Sequence, residues 1–379
     1  MLAMACTPRP GEDAGASPAD HAGAELAWSD WGAEPFARAA AEDKLILINV
    51  VATWCHWCHV MEETTYADPQ VAALLREHFV VIRVDSDARP DISERYRRWG
   101  WPATAILSPK AEPALNLRGY RDPQVFAALL RELIAEQQAG KLRAFVDDPE
   151  PAVVDEDLAA IRARAVAQLD AYFDAERLGW GDKQKYPWPD PVDHALMRAS
   201  FYADDPAEAR WRERALATLD AERALIDPVW GGMYQYSLRG VWDRPHYEKI
   251  AMIQAGAVGN YAHAIMINGA TGDRRWLADA DRITGYLLTR MQDPAGGFYT
   301  SQDADLRRPG QATVDGIDFY ALDDAGRRAL GEPRIDKAVY ADLNGLIIHA
   351  LTELDRADPN PELRAVAVRA GERMLRTHR

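Results

Sequence analysis

The spacing of apolar and polar positions changes partway along the chain. In the N-terminal part, short apolar runs rich in β-branched residues alternate with amphipathic segments. Three of these runs predict buried strands: Leu45–Val51 (LILINVV), 79–84 (FVVIRV) and 104–107 (TAIL). A helix-like run lies between the first two strands, from about residue 58 to 78, with a break at Asp68-Pro69. Strands that alternate with helices predict an α/β domain with some parallel pairing, over residues 26–145.

The periodicity becomes helical in the rest of the chain. Residues 140–151 hold a glycine, two prolines and three acidic residues, which predicts a linker. In residues 154–172 the apolar positions are three and four apart, as on one face of a helix. Asn360 followed by Pro361 predicts the start of the last helix. About seven helices joined by Gly-rich loops predict an all-α partial (α/α) toroid over residues 146–379, which we expect to be incomplete.

Charge and hydropathy argue against a nucleic-acid partner and against a transmembrane segment. The 379 residues include 44 Lys and Arg against 59 Asp and Glu, a formal net charge of −15. Because this charge repels phosphate backbones and no basic stripe is present, we expect no nucleic-acid partner. The longest charge-free run, residues 250–272, contains Gln, Asn and His, so we predict a helix buried on all sides rather than a transmembrane segment.

The first 25 residues allow two interpretations. Residues 1–6 (MLAMAC) end in Ala-Cys, and a Pro-, Ala- and Gly-rich stretch follows that we expect to be disordered. This segment fits the remnant of a bacterial lipoprotein signal, with a lipid anchor at Cys6. It equally fits an ordinary terminus with an isolated cysteine, because six residues are too few for the apolar core of a signal. An extracytoplasmic and a cytoplasmic location are both compatible with the sequence.

The most specific motif is WCHWCH at residues 54–59, between a predicted strand and a predicted helix. A thiolate at a helix N-terminus is stabilised by the helix dipole and by unpaired amides, which lowers its pKa. We therefore expect Cys55 to be the exposed attacking thiol and Cys58 the thiol that resolves the mixed disulfide. A proline 44 residues after Cys58 enters a predicted strand, as in a cis-proline loop that faces two cysteines. The expected supporting side chains lie beside the cysteines and in this loop: Trp54, His56, Trp57 and Pro102.

Other interpretations of the cysteine pair stay open. The sequence CHWCH matches the attachment pattern of c-type haem, although a buried strand rather than a helical surrounding precedes it. Both cysteines with His59 could bind zinc, but no second pair of ligands stands at metal spacing. The pair can also be structural and redox-inactive. We favour thiol–disulfide exchange with a protein thiol or disulfide as substrate, and we predict no cofactor and no metal.

These motifs resemble a family of bacterial and animal thioredoxin-domain proteins that includes spermatogenesis-associated thioredoxin-like proteins. The resemblance rests on CHWCHVME at residues 55–62, on Arg89-Pro90-Asp91 after Val84-Asp85, and on Gly100-Trp101-Pro102. It implies a thioredoxin-like domain fused to a helical barrel similar to N-acylglucosamine epimerases and six-hairpin glycosidases. Asn49 departs from ordinary thioredoxins, which carry at this position a buried Asp that assists proton transfer. This departure disfavours efficient general disulfide reduction.

The resemblance continues into the helical region, through WDRPHYEK at residues 242–249 and GFYTSQDAD at 297–305. These segments carry acid–base groups and an aromatic side chain that could act on a sugar: His246, Glu248, Asp303, Asp305 and Trp242. Alternatively, the three carboxylates cap helices and neutralise Arg244, Lys249 and Arg307 at the surface.

We therefore predict a thiol–disulfide oxidoreductase whose helical region binds a protein partner or a glycan. One alternative is a carbohydrate-active enzyme of the epimerase or hydrolase type, with an accessory thioredoxin-like domain. The other alternative is a non-catalytic interaction scaffold. Composition does not separate these three functions.

Overall fold

The structure, a computed structural model, describes residues 26–145, 157–204, 206–268 and 275–378. The predicted N-terminal tail and its Cys6 lie outside these residues, and the predicted linker lies partly outside them. The boundary between the two predicted domains therefore stays a prediction.

Five strands form one sheet in the N-terminal part: β1 (Ser29–Asp30), β2 (Leu45–Val51), β3 (Phe79–Asp85), β4 (Ala103–Leu107) and β5 (Pro113–Arg118). Their order in the sheet is β1-β3-β2-β4-β5. Strand β3 pairs in parallel with β1 and β2, whereas β4 is antiparallel to β2 and β5. The three predicted strands and the parallel pairing are confirmed.

Helices cover both faces of this sheet: α1 (Ala33–Glu42), α2 (His56–Met61), α3 (Pro69–His78), α4 (Pro90–Ser93) and α5 (Pro123–Gln138). Successive side chains of a strand point to opposite faces, so the continuous apolar run of β2 fills two cores. Leu45 and Leu47 pack in the same cluster as residues of α3 and α5, and Ile46 and Ile48 pack with α1. The predicted break at Asp68 is confirmed, because its carboxylate accepts hydrogen bonds from the first amides of α3.

In the described residues after 145, the first helix begins at Leu158. The helices of this part are α6 (Leu158–Ala171), α7 (Pro189–Phe201), α8 (Ala209–Glu222), α9 (Ala251–Asn268), α10 (Arg275–Tyr286), α11 (Gly316–Tyr320), α12 (Asp324–Leu330), α13 (Ala341–Ala357) and α14 (Pro361–Thr377). Among the described residues, seven of these helices have twelve residues or more, in agreement with the prediction. The charge-free helix α9 packs against α7, α10 and α13. Together with the hairpins α7–α8 and α13–α14, it forms a toroid-like helical region.

Two small antiparallel sheets connect the helices: β6 (Gln184–Lys185), β7 (Tyr236–Leu238) and β8 (Pro245–His246), then β9 (Lys249–Ile250), β10 (Ser301–Gln302) and β11 (Ile335–Asp336). In the second sheet, Gln302 of β10 pairs with Lys249 of β9. One step further along this antiparallel pair, Asp303 comes opposite Glu248. The register therefore brings together two segments that lie far apart in sequence.

The two parts of the chain share a continuous buried core. Ala52, Trp54, Cys55 and Cys58 belong to the same buried cluster as the apolar residues of the helical region. The helical region thus packs directly on the end of the sheet where the cysteine motif begins. No helix among the described residues has the length and apolarity to cross a membrane.

Candidate functional site

The two cysteines form a disulfide bond at the N-terminus of α2. Cys55 is the N-cap of this helix, and its Sγ accepts a hydrogen bond of 3.1 Å from the backbone N–H of Cys58. Strand β2 ends just before the motif, so the predicted order of strand, cysteine pair and helix is confirmed. A sulfur that accepts a helix amide keeps that stabilisation when it becomes a thiolate.

Both cysteines are buried, with exposed fractions of 3% for Cys55 and 5% for Cys58. The prediction that Cys55 is exposed is therefore wrong. That prediction considers the α/β domain alone. In the structure, the helical region also packs over the N-terminus of α2 and buries both cysteines. Of the residues in the motif, Trp57 keeps the largest contact with solvent and is 42% exposed.

The histidines that follow the cysteines face two carboxylates of the helical region. His56 Nδ1 lies 2.6 Å from Asp305 Oδ2, and His59 Nδ1 lies 3.5 Å from Asp303 Oδ2. Arg307 joins the cluster, with its guanidinium 3.2 Å from Asp303 Oδ2 and 3.1 Å from Asp305 Oδ2. The cluster is therefore a network of charges that spans the two parts of the chain.

Burial and hydrogen bonding move the two carboxyl groups in opposite directions. Burial raises the pKa of Asp303 to about 7, and the nearby Arg307 does not offset this effect. Burial also disfavours the charged form of Asp305, but the hydrogen bond and charge of His56, together with Arg307, lower its pKa below the usual value. The same hydrogen bond, which His56 donates to Asp305, raises the pKa of His56. The contact therefore favours the charged forms of both Asp305 and His56, beside a carboxyl group that can exchange a proton near neutral pH.

The acid–base residues proposed for sugar chemistry lie at or beside this same cluster. His246 Nδ1 is 3.8 Å from Glu248 Oε2, and Glu248 is buried, with no hydrogen bond to that oxygen. The charge of Glu248 contributes to the raised pKa values of His56 and Asp303, after the larger effects of hydrogen bonding and burial respectively. The sequence predicts a redox site and a separate acid–base site, and the structure brings them together.

Two further expectations of the sequence need correction. Trp242 lies apart from this cluster as a buried core residue, and its Nε1 donates to the carbonyl oxygens of Arg177 and Leu178. The alternative in which carboxylates neutralise surface cations is correct about the partner Arg307 but wrong about the location, since Asp303 and Asp305 are buried. Lys249 is also fully buried and pairs with Asp227 instead, at 2.7 Å.

A row of stacked aromatic rings leads from the surface to His246, and sequence analysis missed it. The His246 ring lies 4.3 Å from that of Tyr236, which lies 4.7 Å from Tyr186, which lies 5.8 Å from Trp188. The planes of neighbouring rings are within 25° of parallel, and Trp188 is 41% exposed. The only sequence signal is that these aromatic residues fall in or beside β6, β7 and β8, which the antiparallel pairing makes neighbours.

Trp54, the residue before Cys55, contacts the proline loop and an acidic turn. The Trp101-Pro102 peptide bond is cis, as predicted, and the Trp101 ring lies 5.7 Å from that of Trp54. Trp54 Nε1 donates a 3.0 Å hydrogen bond to Asp87, a residue that sequence analysis missed. Burial and the neighbouring Asp85 raise the pKa of Asp87 to about 7. Within the described part of the chain, no group of three or more His, Cys, Asp or Glu side chains is arranged to hold a metal ion.

The fold and the cysteine site define a thioredoxin-like protein with an added helical region, and comparison with known proteins agrees. The profile of a DsbH-type thioredoxin family, described as a protein of unknown function (DUF255), matches residues 16–132. A thioredoxin-like protein from Synechocystis is 30% identical over 94 residues, which cover 25% of this chain and 83% of that protein. The chain therefore belongs to the thioredoxin-like family.

The similarity extends into the helical region. Human spermatogenesis-associated protein 20 is 29% identical over an alignment of 379 residues, which covers 90% of this chain and 47% of that protein. This chain is homologous to the human protein over most of the length of this chain, and it spans about half the length of the spermatogenesis-associated relatives it matches. Among solved structures, cellobiose 2-epimerase from Spirochaeta thermophila is 19% identical with a TM-score of 0.40, over 60% of this chain and 56% of that chain.

Proposed function

We propose that the protein is a thiol–disulfide oxidoreductase whose reacting groups are Cys55 and Cys58. The observation that carries the proposal is the disulfide at the N-terminus of α2, where Cys55 Sγ accepts an amide hydrogen bond. The thioredoxin-like family supports the same chemistry. Of the two sulfurs, Cys55 has the capping position that stabilises a thiolate, which makes it the attacking group.

The exchange takes place in two steps that balance electrons and protons. The Cys55 thiolate attacks one sulfur of a substrate disulfide, forming a mixed disulfide and releasing the first substrate thiolate. Cys58 then loses its proton and attacks Cys55 Sγ, which forms the Cys55–Cys58 bond and releases the second substrate thiolate. The substrate gains two electrons and the dithiol is oxidised. The reverse sequence oxidises a substrate dithiol.

The burial of Cys55 sets a condition on the substrate. Because Cys55 is buried in one cluster with apolar residues of the helical region, a protein disulfide reaches it only after this packing opens. Trp57, exposed at the rim of the motif, and Pro102, buried in the cis-proline loop, are the residues that we propose to line the substrate groove.

The reduction potential of the cysteine pair tests this function. A Cys6→Ser background leaves two thiols to count, and the protein is equilibrated with glutathione buffers before the thiols are trapped by alkylation. We expect both thiols to disappear together at one two-electron midpoint, and insulin-disulfide reduction to be lost in Cys55→Ser. Cys6→Ser alone is the matched control and should behave as the native chain. Failure of the two thiols to form a disulfide at any ratio, or unchanged insulin reduction in Cys55→Ser, would overturn the proposal.

Carbohydrate binding is a second candidate, favoured by the row of rings that leads from Trp188 to His246 and by the unpartnered Glu248 oxygen at its end. Aromatic faces and a buried carboxylate are common features of sugar sites. Titration with oligosaccharides should quench tryptophan fluorescence in the native chain but not in Trp188→Ala. Equal quenching in both proteins, or none in either, would remove this candidate.

A further inference from the structure

Each cysteine of the motif is followed by a histidine, and each histidine faces its own carboxylate across the domain interface. Cys55-His56 faces Asp305, and Cys58-His59 faces Asp303. Both carboxylates belong to the segment that follows β10, and backbone amides hold them in place. Asp305 N–H donates to Asp303 Oδ1 at 3.1 Å, and Gly316 N–H donates to Asp305 Oδ1 at 2.8 Å. The helical region therefore presents two fixed carboxylates to the two histidines.

The environments of these carboxylates differ in a way that separates two chemical roles. Asp305 has a short contact with His56, and its lowered pKa keeps it charged at neutral pH. Asp303 is buried, and its pKa of about 7 lets it change protonation state at neutral pH. When neighbouring carboxyl groups are driven apart in this way, one acts as an electrostatic stabiliser and the other as a proton donor or acceptor.

We propose that the helical region completes the redox site: Asp305 acts through His56 to stabilise the Cys55 thiolate, and Asp303 acts through His59 to receive the Cys58 proton. This inference rests on the proposed thiol–disulfide exchange. The two aspartates are positioning residues, since neither contacts the sulfur atoms directly. In the resolving step, the proton of the Cys58 thiol passes to the His59–Asp303 pair, the bond between the two cysteine sulfurs forms, and the substrate sulfur leaves with its electron pair.

The strand side of the site offers no alternative proton acceptor at Asn49. This residue is buried in the middle of β2, and an amide does not take up a proton in this pH range. Other charged or titratable groups face the carboxylate pair from the surrounding elements: Glu248 and His246 from the β8–β9 segment, Arg307 from the segment after β10, and Glu63 from the π-helical segment that continues α2. Of these, the negative charge of Glu248 favours proton uptake by Asp303, and the positive charge of Arg307 opposes it.

A small aryl disulfide that releases a coloured thiolate separates the two roles. With the reduced protein in a Cys6→Ser background, attack by Cys55 releases the first equivalent and resolution by Cys58 releases the second. Cys58→Ser should show the first phase alone, which assigns the phases. The rate constant of each phase is measured as a function of pH, and the readout is the pH at which it is half-maximal. A change in the access of the disulfide to Cys55 scales the rate constant equally at every pH, whereas a change in charge moves the midpoint.

The two aspartate variants should change different phases. In Asp305→Asn we expect the midpoint of the first phase to rise by about one pH unit, because His56 loses the partner that keeps it charged. In Asp303→Asn we expect the second phase to lose its break near pH 7 and to slow about tenfold at that pH. Asp170→Asn, which removes a carboxylate paired with Arg210 elsewhere in the helical region, is the control and should change neither phase.

The outcomes distinguish this inference from the function on which it rests. If both phases occur but the two aspartate variants change neither, or both change the same phase, the assigned roles are wrong and thiol–disulfide exchange stands. If no aryl thiolate is released by the native protein, the proposed function itself fails. Should an aspartate variant not fold, His56→Gln and His59→Gln remove the same two links from the α2 side and must reproduce the same two shifts.

Discussion

His56 Nδ1 and Asp305 Oδ2 lie 2.6 Å apart, although 249 residues separate them in the chain. This pair connects the turn that carries the disulfide to the segment that follows β10 in the helical region. Because the contact between the two parts of the chain favours the charged forms of His56 and Asp305, these charged forms in turn stabilise the contact between the two parts. The chemistry of the cysteines and the closure of the helical region over them are therefore linked.

Arg307 is expected to control access to Cys55. Its guanidinium contacts Asp303, Asp305 and, at 3.2 Å, Glu63 of the N-terminal part, so Arg307→Gln removes a charge that joins the two parts. We expect Cys55 in the reduced variant to be alkylated by iodoacetamide about three- to tenfold faster than in the native protein. Peptide mass spectrometry at several reaction times measures this rate.

The control for this prediction is Arg364→Gln, because Arg364 pairs with Asp355 at the surface of the last helical hairpin. It should leave the alkylation rate of Cys55 unchanged. Equal rates of Cys55 alkylation in the native protein and in Arg307→Gln would show that Arg307 does not hold the helical region against α2.

Glu222 should make the free energy of unfolding depend on pH. It is fully buried in α8, neither carboxyl oxygen has a hydrogen-bond partner, and burial raises its pKa from 4.5 to about 8. The folded state therefore binds the proton more tightly than the unfolded state. Its contribution to stability is fully present below pH 4.5 and is lost as the pH rises towards 8.

Glu222→Gln keeps the shape of the protonated side chain and removes its titration. We expect the variant to unfold at nearly the same urea concentration as the native chain at pH 5, and to be more stable at pH 8.5 by on the order of 4 kcal/mol. Glu213→Gln changes an exposed residue of the same helix and should have little effect at either pH. A constant difference between Glu222→Gln and the native chain across this range would contradict the buried, protonated state.

Local patterns in the sequence predicted much of the fold. The apolar run 45–51 is a strand because its side chains fill the cores on both faces of the sheet, and Asp68 ends one helical run because its carboxylate caps the next. The position of Cys55 at the start of α2 follows equally from the strand and helix on either side of it. In each case the determining interactions lie within a few residues.

The arrangement of the site could not be predicted in this way. The burial of Cys55 depends on the helical region, and the proximity of Asp303 to Glu248 depends on the pairing of β9 with β10. No local signal distinguishes a carboxylate that faces solvent from one that faces a histidine 249 residues away. For the same reason, the stacked rings that end at His246 become visible only when three short strands are paired.

A buried cluster of three charges is expected to stabilise the helical region. It consists of Asp227 and the two cations that pair with it, Lys249 and Arg327. Both cations lie 2.7 Å from Asp227, all three side chains are inaccessible to solvent, and the pKa of Asp227 is lowered to about 2 despite its burial. Lys249→Met leaves this carboxylate with a single cation, which should cost about 3–5 kcal/mol of unfolding free energy. Urea denaturation measures the loss, and Lys337→Met, at an exposed position, is the control. A loss below about 1 kcal/mol would mean that Arg327 alone satisfies the carboxylate.

Asn49→Asp tests whether the proton acceptor can be moved from the helical region to the sheet. The resemblance to thioredoxins implies that a buried acid at this position can serve the cysteine pair, whereas here an amide lies in β2 with its Oδ1 unpartnered. A carboxyl group enclosed in this way should have a raised pKa and should lower the free energy of unfolding by about 1–3 kcal/mol. In an Asp303→Asn background, we expect it to restore a pH break in the resolving phase of the aryl disulfide reaction.

The rescue separates a loss of proton transfer from a loss of structure. If Asp303→Asn slows resolution because the interface is distorted, a new acid in the strand cannot repair it, and the double variant should be as slow as the single one or slower. If Asp303 serves as a proton acceptor, the double variant should recover most of the roughly tenfold loss although it is less stable. Asn49→Ser in the same background, which introduces no titratable group, should give no recovery.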